Sequence, residues 1–238
     1  MAGREPEEQV PVPITLQRWR DMTFLHWSYD PDVLAGLLPP GLEPDVHDGR
    51  AWVGMTPFVM DAIRPPVGPA VPGLSTFPET NVRTYVRGPG GVDGLWFLTL
   101  EADNLALVLG ARAFYGVPYR WAAMKVDRDG DRVVYRSRRR SSPTAGHHVV
   151  VRPLPGDGWE PGPLDHWLTG RWRAWTSLAG RLASVAVRHS PWPLGRAEVL
   201  DLDEDLVVAS GLPAPDGPPL VHFSPGVDDV RLGRPRFS

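Results

Sequence analysis

Glycine and proline punctuate this chain from end to end, and that limits the fold more than any other feature. There are 25 glycines and 28 prolines among 238 residues. Proline removes a backbone donor and fixes φ, and glycine frees the backbone to turn. A bundle of long helices is therefore disfavoured, and short strands joined by many turns are favoured. The chain can still build an interior, with 42% hydrophobic and 22% charged residues, the balance of a globular protein. Its 10 tryptophans each require a core or a cavity wall.

Several function classes fall away on composition. The net charge is −3, which gives no broad attraction to nucleic acid or to an anionic membrane. No apolar run approaches the roughly 20 residues that span a bilayer. Cysteine is absent, which excludes disulfides, thiolate catalysis and cysteine-ligated metals. The first residues include Arg4, Glu5, Glu7 and Glu8 without an apolar segment, unlike a secretory signal, so a cytoplasmic protein is expected. Of 25 cationic residues only Lys125 is lysine.

Residues 1–13 read as a flexible arm and 14–238 as one domain, since no polar linker divides two cores. Asp30-Pro31 starts a short helix. Asp48-Gly49 and Asp129-Gly130 mark hairpin turns, and 61–78 reads as a long loop. Strands are expected around 20–27, 51–55, 81–87, 95–100, 121–126, 132–137, 148–152, 185–189, 198–201 and 220–224. Helices are expected over 104–114, capped by Asp103, with Leu105, Val108, Leu109 and Arg112 on one stripe, and over 164–178, where Leu164, Trp167, Leu168, Trp172 and Trp175 keep helical spacing.

No Gly-x-Ser-x-Gly elbow, phosphate loop or dinucleotide fingerprint is present. The histidines are scattered without metal-ligand spacing, so neither metal nor cofactor is expected. The segment 77–86 carries more information. On a strand it presents Glu79, Asn81, Arg83 and Tyr85 on one face, either as a solvated surface or as a lining that needs partners or a ligand. Ala111-Arg112 leads through Tyr115 to Gly116-Val117-Pro118-Tyr119-Arg120, a helix stop that turns straight into a strand and aims Tyr119 and Arg120. Arg112, on the expected apolar stripe, calls for a partner such as Glu79 or Asp103. His189 can act as general acid/base or orient a loop. His222 reads as a core histidine, and Lys125 as an exposed strand-end residue.

These segments resemble the uncharacterised YqjF-like proteins, distant relatives of acetoacetate decarboxylase, over nearly the whole chain. The resemblance rests on Phe24-Leu25-His26-Trp27, Leu38-Pro39-Pro40-Gly41-Leu42, 48–54, 79–86, Ala111-Arg112, Gly116-Val117-Pro118-Tyr119, Leu168-Thr169-Gly170-Arg171-Trp172 and His189-Ser190-Pro191-Trp192-Pro193-Leu194. It implies a mainly β (α+β) fold, an antiparallel β-barrel or β-cone with a few flanking helices and a small-molecule cavity. The decarboxylase pattern has its Schiff-base lysine after Gly-x-Pro. Here Tyr119 stands at that position and Arg120 at its cationic neighbour, and neither is a practical imine former.

The expected function is binding of a small organic acid, without Schiff-base chemistry. The alternative is a lyase- or isomerase-type enzyme using acid–base chemistry on a keto or enol acid. Tyr119, Glu79 and His189 are the candidate catalytic residues. Asn81, Arg83, Tyr85, Arg112, Tyr115 and Arg120 are the candidate ligand-binding residues. The partner is a small molecule, with nucleic acid and membrane excluded and homo-oligomer formation left open.

Overall fold

The computed structural model describes residues 5–6, 9–156 and 158–238. In chain order the elements are β1 (Thr15–Tyr29), α1 (Pro31–Ala35), β2 (Glu43–Pro44), β3 (Ala51–Arg64), β4 (Phe77–Arg87), β5 (Asp93–Ala102), α2 (Leu105–Tyr115), β6 (Tyr119–Asp129), β7 (Arg132–Arg139), β8 (Gly146–Pro153), α3 (Pro163–Thr169), β9 (Arg173–Leu178), β10 (Arg181–Arg188), β11 (Gly195–Glu204), α4 (Leu206–Ala209), β12 (Leu220–Leu232) and β13 (Arg236–Phe237). Strands dominate and the helices are short, as the glycine and proline content requires. No helix among the described residues is long and apolar enough to cross a membrane.

The strands form one continuous sheet that closes on itself twice. In one circuit β10, β9, β5, β4, β3, β1 and β12 pair in turn, and β12 pairs back to β10. The other circuit runs from β5 through β6, β7, β8 and β11 to β12, and shares β12, β1, β3, β4 and β5 with the first. Pairing is antiparallel except at β5–β6 and β5–β9. The shared strands are covered on both faces, so β4 is buried almost throughout and loses the solvent side that plain alternation would give it. One face packs a core around Val53, Met55, Val82, Tyr135, Val149 and Val151. The other faces Phe24, Phe58, Met60, Leu100 and Tyr119, with α2 lying over it.

Three local expectations are corrected. The helix expected over 164–178 stops at Thr169, with Gly170 as its C-cap, and the chain continues as β9. Helical spacing of the tryptophans was coincidental there: Trp175 sits in a slot between Gly88 and Gly94, where a Cβ on Gly88 would lie 2.3 Å from the indole. On α2 the cap is Asn104, whose side chain accepts from the Leu107 amide, and not Asp103. Part of the expected arm, residues 1–4 and 7–8, lies outside the described residues. Its end is fixed, with Val10 only 5% exposed and the Ile14 amide donating to Leu232 at 2.7 Å.

Candidate functional site

Inside the first circuit is a cavity of about 350 Å³. β4 supplies one wall, where Glu79, Asn81 and Arg83 alternate inward. Tyr119 reaches the same wall from the start of β6. Its direction is set by the corner before it. Gly116 takes the left-handed conformation at φ 68°, and its amide closes on the Arg112 carbonyl. Tyr119 then pairs in parallel with Leu100 of β5, and its hydroxyl donates to Glu79 Oε2 at 2.9 Å.

Glu79 lies between Phe58 and Ala102 in the sheet register and is 3% exposed. Burial pushes its pKa up to about 8, opposed by the Tyr119 hydrogen bond. The carboxyl therefore holds its proton at neutral pH. Burial, and then Glu79, raise the Tyr119 hydroxyl well above its ordinary value. Arg83 is also buried, with its guanidinium carbon 5.5 Å from the Phe24 ring centroid. Among the described residues no carboxylate lies within ion-pair distance of it, and its Nε–H has no partner. The Asn81 Oδ1 is likewise buried without a partner.

His189 lines the cavity inside a tryptophan cage, its ring centroid 5.3 Å from Trp19 and 4.6 Å from both Trp172 and Trp192. Its Nδ1 donates to the Ser190 carbonyl at 2.6 Å. Burial lowers its pKa to about 4, so the ring is neutral with its lone pair on Nε2. Tyr115 lines the cavity from the last turn of α2, beside Thr15, and burial pushes its hydroxyl up to about 12.

Three expected binding residues lie elsewhere. Tyr85 is fully buried behind the wall, accepting from His26 Nε2 and donating to the Leu168 carbonyl, both at 2.8 Å. It supports the site from behind. Arg112 is exposed on the outer side of α2. The stripe that turns inward is Leu107, Val108, Ala111 and Tyr115, while Leu105 and Leu109 are 42% and 58% exposed. The helix is apolar on both sides, so periodicity alone does not fix its phase. Neither expected partner meets Arg112: Glu79 faces Tyr119, and Asp103 accepts from the Met124 amide. Arg120 is exposed as well. β6 leaves β5 for β7 just after it, and both Arg120 and Trp121 turn outward before alternation resumes at Ala122. Lys125, on the outward phase, is 69% exposed and paired with Asp127 at 2.7 Å.

The structure adds Arg171 to the cavity wall. Its Nη1 donates to Asp45 at 2.7 Å and to Asp93 at 3.0 Å, and its Nε to the Trp167 carbonyl. The guanidinium lies 4.3 Å from the Trp167 ring centroid and 5.0 Å from that of Tyr85. Its Nη2 is buried without a partner. Its sequence signal is the Leu168-Thr169-Gly170-Arg171-Trp172 segment of the resemblance, but its role stays hidden because its two acids come from distant segments.

This arrangement sits in a chain whose residues 16–228 match DUF2071, a family described as an uncharacterized conserved protein. The chain belongs to that family. It is 37% identical over 229 residues to the uncharacterized protein YqjF of Bacillus subtilis (strain 168), covering 94% of each chain. Among solved structures it is similar to acetoacetate decarboxylase from Legionella pneumophila, with TM-score 0.65, 16% identity and coverage of 97% of this chain and 89% of that one. It is also similar to the enduracididine biosynthesis enzyme MppR complexed with pyruvate, with TM-score 0.68, 17% identity and coverage of 97% and 93%. At such identities the likeness is one of fold, so the family shares the acetoacetate decarboxylase-like architecture.

Proposed function

We propose that the cavity binds a small organic acid as its carboxylate, with Arg83 as the charge partner and no Schiff base. The observation that carries this reading is Arg83 itself: a buried guanidinium with an unpartnered Nε and no described acid beside it. The Tyr85 hydroxyl and the Phe24 ring lie near it, but a buried cation with no acid beside it still costs several kcal/mol, and an entering carboxylate offsets that cost through charge and a planar hydrogen-bonding fork. Glu79 does not neutralise it, because Glu79 keeps its proton and faces Tyr119. An imine route is disfavoured because Tyr119 follows Gly-x-Pro and Lys125 is exposed at an ion pair. The pyruvate bound to MppR supports a small acid in this architecture.

A thermal-shift comparison of acids with their matched amides tests the reading. An acid at about 100 times its Kd stabilises by about 2.7 kcal/mol, or on the order of 5–10 °C for a chain of this size. The amides should give much less, and Arg83→Met should abolish the acid's shift. Equal shifts for acids and amides, or an unchanged shift in Arg83→Met, would overturn it.

A second reading rests on Glu79, a proton-bearing carboxyl with a pKa of about 8, bonded to Tyr119. A carboxyl tuned near operating pH suits general acid–base chemistry. On this reading the pair moves a proton on a bound keto or enol acid.

A further inference from the structure

We infer that the acid held in this cavity is a monocarboxylate of about a dozen non-hydrogen atoms in all, most of them in an apolar body. This rests on the carboxylate reading and goes beyond the three-carbon acid seen in a fold neighbour.

Volume is the first argument. Liquid water takes about 30 Å³ per molecule, and an organic heavy atom somewhat less. A cavity of about 350 Å³ therefore holds roughly a dozen or more heavy atoms, and pyruvate, with six, would leave half of it unfilled. The second argument is how the lining is divided. Polar groups line part of the cavity, Glu79, Asn81 and Arg83 on β4 and others such as Tyr115, Arg171 and His189, whereas Met22, Phe58, Met60, Leu107, Ala111 and Phe114 make an apolar wall. A water needs two to four polar partners to be held, and that wall offers none from its side chains. A short acid would leave this surface without contacts, whereas an apolar body fills it.

Charge fixes the head group. Arg171 is already neutralised by Asp45 and Asp93, and Asp45 also pairs with Arg87. Those four residues sum to zero, so of Arg83 and Arg171 only Arg83 has no acid beside it among the described residues. One carboxylate balances it, and a second would be buried without a partner.

The test is calorimetric titration of the full chain with butyrate, pyruvate, octanoate, 4-phenylbutyrate, the dicarboxylate suberate and octanamide. Octanoate should bind about 200-fold more tightly than butyrate, about fourfold per methylene over four methylenes. Phenylbutyrate should also outrank butyrate, and suberate should fall well below octanoate. Ala111→Phe, which fills the apolar end, should erase the advantage of octanoate while leaving butyrate within a few-fold. Leu107→Trp serves the same purpose should Ala111→Phe fail to fold. Butyrate or pyruvate matching octanoate would overturn the apolar body and leave the carboxylate reading standing. Suberate matching octanoate would overturn the single-charge argument. Octanamide matching octanoate would instead overturn the carboxylate reading.

Discussion

Glu79 and Glu101 are buried carboxyls on neighbouring strands, and they are accommodated in opposite ways. Glu101 meets Arg139 at 2.6 Å and also accepts from Thr99. Glu79 has only the Tyr119 hydroxyl and keeps its proton. The first arrangement ties β5 to β7, and the second leaves a titratable group facing a cavity. Because the Tyr119 hydrogen bond is what holds the Glu79 pKa down, Tyr119→Phe should raise it further while costing about 1 kcal/mol of stability. Carboxyl-selective infrared or carbon-13 titration reads this directly, and an unchanged or lowered value would show that Tyr119 is not the controlling donor. The same variants test the acid–base reading. Exchange of solvent deuterium into the α-position of a bound keto acid should vanish in Glu79→Gln and slow in Tyr119→Phe. Wild-type protein that catalyses no exchange leaves binding as the function.

At the scale of elements, the corner between α2 and β6 controls where Tyr119 points. A Cβ on Gly116 would lie 2.4 Å from the Ser177 carbonyl, at φ 68°. Gly130 has a similar φ of 60° with nothing near its position. Gly130→Ala should therefore cost about 1 kcal/mol, the left-handed penalty alone. Gly116→Ala should cost about 2–4 kcal/mol, since backbone must move as well. Equal costs in urea melts would deny the close packing of β9 against this corner. That corner was legible in sequence because Gly-x-Pro acts locally, and so were the hairpin at Asp129-Gly130 and the shared face of Glu79, Asn81 and Arg83, but not its inward direction. What stayed hidden depends on distant partners. The phase of α2 is set by which of two apolar sides meets the cavity. Tyr85 follows the β4 alternation, yet its hydroxyl is taken by His26 and Leu168. Arg171 gains its place from Asp45 and Asp93, and β9 from a slot between two glycines far upstream.

The whole molecule holds an unusual set of buried titratable groups, and their signs oppose. Burial lowers His147 to about 3 and His189 to about 4, and also lowers His26 and His222. Between those values and the ordinary 6.5, the unfolded chain binds more protons than the folded one, so stability rises with pH. Glu79 works the other way. Its folded pKa of about 8 exceeds the ordinary 4.5, so the folded state binds the extra proton and stability is lost as pH rises through 8. Below about pH 7 the four histidines outweigh Glu79 and Glu204, whose carboxyl burial also raises; above it the histidines are largely neutral in both states and Glu79 sets the slope. Stability should therefore peak near about pH 7 and decline by about 1 kcal/mol toward pH 9. In Glu79→Gln the alkaline decline should flatten while the acid side keeps its slope. Urea midpoints collected from pH 5 to 9 for both proteins decide the matter. A wild-type decline that Glu79→Gln fails to remove would place the responsible proton on another group and make Glu79 an ionised carboxylate on the same strand face as Arg83, which would weaken the need for a ligand's charge in the cavity.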